Sequence, residues 1–216
     1  MKKLISILLT AAIGASVITA CDQQAPAETN APEETTIEET AAAPAEINPE
    51  ITDDLRNLFD TGMEGLMGVG YEPILFLGTA SDNPVESVFL CRAQVVTPDE
   101  PSYWAIVSMT DIGDGVQIQD IEAIDIAASS TASDVVLGQP DTEVQLGSWS
   151  PVQDSYVDPE IFNVDGVTAY ALLSTQVVSG TNYCYIGVDG NNWNLYYLYA
   201  DLNGNIECTN VASLAI

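Results

Sequence analysis

The residues able to do chemistry in this chain are few in kind. There is no histidine among the 216 residues, so Ser-His and Cys-His nucleophilic pairs and the commonest metal ligand are ruled out. Thirty-two acids are present, and a carboxylate pair could in principle run hydrolysis, yet no pair stands out among so many. Asp201, Asn203 and Asn205 have the Asp-x-Asn-x-Asn start of a calcium loop. Ile206 then occupies the glycine position, and no acid stands at the twelfth place, which points to an Asx-rich β-turn and no metal. What remains is a recognition element, Gln176-Val177-Val178-Ser179-Gly180, between two strand-like segments. Two valines at a turn are unusual where polar turn formers are the rule. Gly180 permits a positive φ, and Gln176 can hydrogen-bond across the tip and stiffen it. A rigid, partly apolar tip offers contact area with little ordering cost. No cofactor is expected.

The ends of the chain imply an envelope setting. Lys2 and Lys3 precede a fifteen-residue apolar stretch, Leu4 to Ile18, too short for a comfortable membrane span. Ile18-Thr19-Ala20-Cys21 resembles a bacterial lipobox, which implies a signal over 1–20, cleavage before Cys21 and acylation of its thiol. The alternative is an ordinary cleaved signal with an incidental cysteine. Residues 21–48 are rich in Ala, Pro, Glu and Thr and lack aromatic residues, so they read as an acidic, self-repelling tether. Loss of Lys2 and Lys3 takes the net charge from −28 to −30 and leaves only Arg56 and Arg92 basic. Nucleic-acid binding is excluded on that balance, and the membrane is expected only through the lipid anchor.

The elements that position the tip belong to an internal repeat. Tyr103 to Gly115 aligns with Trp193 to Asn205 at an offset of ninety residues (103 to 193), each an apolar strand followed by Asp and a Gly/Asn turn. Upstream, Leu75 to Thr79 matches Ala171 to Thr175, and Val88 to Cys91 meets Tyr183 to Ile186. Each copy reads as one helix followed by four strands. In the first, Asn48 caps a helix with Pro49 at its first position. Ile51, Leu55, Leu58, Phe59, Met63 and Leu66 then share one face, and Gly62, Gly65, Gly68 and Gly70 end it. Strands follow near 71–79, 86–96, 102–110 and 116–126. In the second copy a shorter helix opens at Asp158-Pro159 and runs to about Asn163, with strands near 167–177, 181–189, 194–201 and 205–215.

The segment 128–157 joins the copies, and Val135-Val136-Leu137 and Gly147-Ser148-Trp149 are candidates for a leading strand. Alternation places Ile206, Cys208, Ala212, Leu214 and Ile216 on one face of the last strand, interrupted by Asn210 as Asp120 interrupts the first copy. Cys184 and Cys208 are thus expected on one core face, too far apart across an intervening strand to pair. Cys91 also reads as buried, and the three thiols as reduced. The other reading is a Cys91 bridge between the domains.

With Thr181-Asn182-Tyr183 following it, the run from Gln176 resembles the Gln-x-Val-x-Gly loop of the cystatins and stefins. The resemblance covers 158–216 directly and 49–127 by repetition. It implies an α+β protein of two tandem cystatin-like domains, 49–130 and 131–216, each a helix packed across a curved antiparallel sheet. In that family the loop plugs the cleft of papain-like cysteine proteases without offering a scissile bond. A trunk glycine and a Pro-Trp pair on a second hairpin complete the family's wedge. Here Gly147 is the candidate for the first. The second hairpin, through Leu202, Asn203 and Gly204, has neither Pro nor Trp, a gap shared in part by stefins. Trp193 falls at the other end of the sheet, as a packing residue. The first copy's loop, Ala80 to Glu86, is polar and acidic and is not expected to inhibit. The implied partner is a papain-like protease; the alternative is another protein bound by a non-inhibitory surface or spacer module.

Overall fold

The computed structural model describes residues 47–97, 102–139 and 147–216. The expected signal over 1–20, Cys21 and most of the expected tether lie outside them. The fold is a sheet-rich α+β arrangement of two antiparallel five-stranded meanders. Helix α1 (Asp53–Met63) precedes β1 (Val69–Asp82), β2 (Val85–Val95), β3 (Tyr103–Asp111) and β4 (Val116–Ile124). A four-residue helix α2 (Ile126–Ser129) leads to β5 (Leu137–Gly138), which closes the first sheet. The second sheet runs β6 (Ser150–Pro151), β7 (Val167–Val178), β8 (Gly180–Asp189), β9 (Asn192–Ala200) and β10 (Ile206–Ser213). All eight expected long strands are present.

The helix starts later than expected. Thr52, not Asn48, is its cap, its hydroxyl accepting from the Leu55 amide. The Asn48 side chain instead closes a local turn on the Glu50 amide. Ile51, Leu55, Leu58, Phe59 and Met63 face the sheet as the spacing predicts, whereas Leu66 lies beyond the helix and is exposed. Gly62 is within the helix, not its terminator. A Cβ there would lie 3.1 Å from the Met109 sulfur and from Val116, so glycine lets the helix ride close over β3 and β4.

The repeat is visible in the irregularities of the sheets. The first two bulges of β1 against β2 fall at Pro73/Leu75 and Phe76/Gly78, and those of β7 against β8 fall at Ala169/Ala171 and Leu172/Ser174; a third in β1, at Thr79/Ser81, has no counterpart in β7. Both pairs are displaced by 96 residues (75 to 171, 78 to 174). The bulge that skips Gln119 in β4 returns at Thr209 in β10. A bulge changes which face each later residue takes, so a matched set of bulges is a matched set of facings. This register corrects two alignments read from the letters. Val88 corresponds to Cys184, not Tyr183, and Trp104, not Tyr103, corresponds to Trp193.

Paired strands bury both faces. The largest apolar cluster lies between the sheets and takes Leu75, Leu77, Val88, Leu90 and Trp104 from one copy and Leu173, Cys184, Ile186, Trp193, Leu195 and Tyr197 from the other. The contact is reciprocal. Trp104 donates its indole N–H to the Leu173 carbonyl (2.6 Å), and Trp193 donates to the Leu77 carbonyl (2.7 Å). Leu77 and Leu173 are themselves equivalents, 96 residues apart (77 to 173). The two copies thus meet as an isologous pair does, patch i on patch j and j on i.

The outer faces are covered differently. Over the first sheet lies α1, with Phe59 edge-on to Phe89 at 5.2 Å. Over the second, Phe162 meets Tyr185, the counterpart of Phe89, edge-on at 5.1 Å. No helix carries Phe162, which corrects the helix expected at 158–163. Ile161 and Phe162 donate to the Asp158 carbonyl in a single turn, and Gly166 at φ +76° follows. Tyr185, Tyr196 and Tyr183 fill this face with larger rings, so a shorter cover suffices.

The linker also differs from expectation. Leu137 joins β4 of the first sheet, while Val135 donates to the Ser213 carbonyl of β10. The leading strand of the second sheet is Ser150–Pro151, directly after Trp149. Cys91, Cys184 and Cys208 are all free thiols, but Cys208 is exposed, not buried. The bulge at Thr209 places Cys208 opposite Leu198, on the outer face, while Ala212 and Leu214 return to the core between the sheets. Burial raises the thiol pKa of Cys91 and Cys184.

Candidate functional site: a braced hairpin tip

The Gln176–Gly180 segment is the tip of the β7–β8 hairpin. Val178 pairs with Gly180 across Ser179, so the chain reverses over a single residue. Gly180 sits at φ +137°, and a Cβ there would come within 2.4 Å of the Ala200 carbonyl oxygen and 2.9 Å of the Tyr199 ring. Both the backbone angle and the close approach of β9 require glycine.

Three side-chain contacts hold the tip. Gln176 donates to the Gly147 carbonyl and accepts from the Asn182 amide, its cross-strand partner, at 2.6 Å. Tyr199 donates its hydroxyl to the Ser179 carbonyl at 2.6 Å. With Gln176 and the Ser179 carbonyl so engaged, the tip presents Val177 and Val178 outward, 66% and 45% exposed. The stiffening role expected of Gln176 is met by Gly147 and Asn182. Tyr199 was missed; its position two residues before Asp201, on the strand beside the hairpin, was the available signal.

The second hairpin lies at the same end of the sheet, since Thr181 pairs with Ala200 and β9 turns into β10 just beyond. Asp201 organises it. One carboxylate oxygen accepts from the Asn203 and Asn205 amides (2.8 and 2.9 Å), and the other from the Asn205 side chain (2.7 Å). These bonds, chiefly those from Asn205, hold the Asp201 carboxyl down at about 2. The loop is an Asx-rich turn, its carboxylate turned onto its own backbone. Among the described residues no group of three or more acids, cysteines or histidines could hold a metal ion. Leu202 projects from the turn, 84% exposed, with Asn203 and Gly204 also exposed. Gly147, the valine tip and Leu202 therefore occupy one end of the second sheet. Trp193 is buried at the other, bonded to Leu77.

The corresponding hairpin of the first copy turns through Asn83-Pro84 between Asp82 and Val85. It carries one exposed large hydrophobic residue, Val85, among small, polar and acidic neighbours. Among the described residues no helix is long and apolar enough to cross a membrane.

The fold and site define a sheet-rich α+β protein of two interlocked repeats, one of which displays a stiff apolar hairpin. No family model matches the chain, and neither a curated protein nor a solved structure matches it.

Proposed function

We propose that the chain is a lipid-anchored, extracytoplasmic protein, tethered through Cys21, whose cystatin-like second repeat inhibits papain-like cysteine proteases reversibly through the Gln176–Gly180 hairpin. It acts without catalysis and without a cofactor: only shape and apolar fit are required of the tip. The observation that carries this reading is the exposure of Val177 and Val178 on a turn whose Gln176 side chain and Ser179 carbonyl are already bonded. A preformed tip loses little conformational freedom on docking, so more of its contact energy appears as affinity. Gly147 and Leu202 flank it as secondary contacts, with Asn203 and Gly204 beside them.

The test is titration of papain with the full chain. Inhibition is expected, and Val178→Asp, a change at an exposed position, should weaken it by well over tenfold, the scale of losing one interface anchor worth about 2 kcal/mol. Unchanged papain activity at micromolar protein removes the inhibitor reading. The second reading is a non-inhibitory surface binding module, favoured by a polar pocket beside the tip.

A further inference from the structure

Beneath the hairpin, on the inner face of the second sheet, lies a pocket of about 270 Å³, with Ser130 at its edge. Gln176, Asn182 and Tyr199 cross it as one register row on three adjacent strands, and β10 adds Thr209. The repeated bulge turns Thr209 inward to line the cavity, and its hydroxyl donates to the Tyr197 carbonyl. The floor is Tyr197, whose own hydroxyl is committed to the Ile126 carbonyl. Trp149, half-buried and edge-on to Tyr197 at 5.6 Å, forms a wall.

In a chain with 32 acids, none of the lining residues is charged. An ionic ligand would have no counter-charge, and anions are further repelled by the chain as a whole. Gln176 and Asn182 each keep one side-chain N–H and an acceptor lone pair, whereas the Thr209 hydroxyl, its proton given to Tyr197, can only accept; together they suit a ligand whose hydroxyls both donate and accept. The aromatic walls suit one with an apolar face. At about 270 Å³ the pocket falls just below the usual small-molecule range of roughly 300–1,000 Å³, and it admits one ring, not an extended chain. From this we infer that the pocket binds a neutral sugar ring, stacked against Trp149 and hydrogen-bonded by Gln176, Asn182 and Thr209.

The site stands independently of protease inhibition, although Gln176 belongs to both. Trp104 and Trp193 are buried in the core, so a ligand-dependent change in tryptophan emission reports Trp149. The experiment titrates the full chain with methyl glucoside, methyl galactoside, N-acetylglucosamine and, as the charged comparison, glucuronate, into the millimolar range. A saturable change with at least one neutral sugar is expected, absent in Trp149→Phe. Asn182→Ala and the near-isosteric Thr209→Val should weaken it by roughly tenfold, as loss of one or two hydrogen bonds implies. Val178→Asp should bind sugar as the parent does, which separates this outcome from the papain titration. No response to any neutral sugar, equal binding of glucuronate, or undiminished binding by both Asn182→Ala and Thr209→Val would overturn the assignment.

Discussion

At the scale of single residues, Gly180 and Asp201 fix the two turns beside the tip. Gly180→Ala forces a side chain into the Ala200 carbonyl at a backbone angle hostile to L-residues, and neighbouring backbone must move. The expected cost is about 2–4 kcal/mol by denaturant unfolding, with displaced Tyr199 resonances. Gly204→Ala, at φ +86° with open space around it, should cost only about 1 kcal/mol. Equal losses would mean that contact with β9 does not decide the first. For Asp201, the folded carboxyl titrates at about 2, below its ordinary value of 3.8. Its turn contribution is therefore complete above about pH 4 and is lost as pH falls through 2. The protection of the Asn203 and Asn205 amides, their exchange relative to the intrinsic rate at the same pH, should fall across that window, and Asp201→Asn should abolish that fall. Protection that stays level down to pH 2 would contradict the bonding described.

At the scale of elements, the strands were readable and their cover was not. Alternation located all eight long strands because it reflects burial on one face at a time. It does not reveal where a bulge changes the facing, so alternation puts Cys208 in the core and sets two of the three aligned segments one residue out, while Leu75 to Thr79 matches Ala171 to Thr175 as expected. The tip was readable because two valines and a glycine at a turn are locally anomalous. Its braces were not, since Gly147 and Tyr199 lie twenty or more residues from the groups they bond. The helix expected at 158–163 failed because Pro159 signals a helix start as readily as a lone turn. The reciprocal indoles were likewise unreadable, because each pairs with a carbonyl in the other copy. Their weight can be measured. Trp104→Phe and Trp193→Phe should each cost about 1–3 kcal/mol through a lost buried hydrogen bond and reduced packing. The Trp104 change should be the milder, because the Leu173 carbonyl also accepts from the Val152 amide. A negligible loss in both would mean the indoles only fill space.

At the scale of the whole molecule, the shared core dominates. The described residues belong to one compact unit, and its largest cluster takes side chains from both sheets. Thermal unfolding is accordingly expected as a single transition, with calorimetric and van't Hoff enthalpies in agreement. Two resolved transitions would mean the sheets stand alone. The same packing dictates that function be assayed on the full chain. Residues 131–216 alone would expose Leu173, Ile186, Leu195 and their neighbours to water, the kind of patch that drives aggregation.

The mutual clasp of the two indoles carries one more consequence. Two separate, identical polypeptides joined in this way would be obliged to present matching points, since any change in one is copied into its mate. A single polypeptide that supplies both partners is free of that obligation. One end can stay blunt and acidic while the other is sharpened, and the grip between them is untouched.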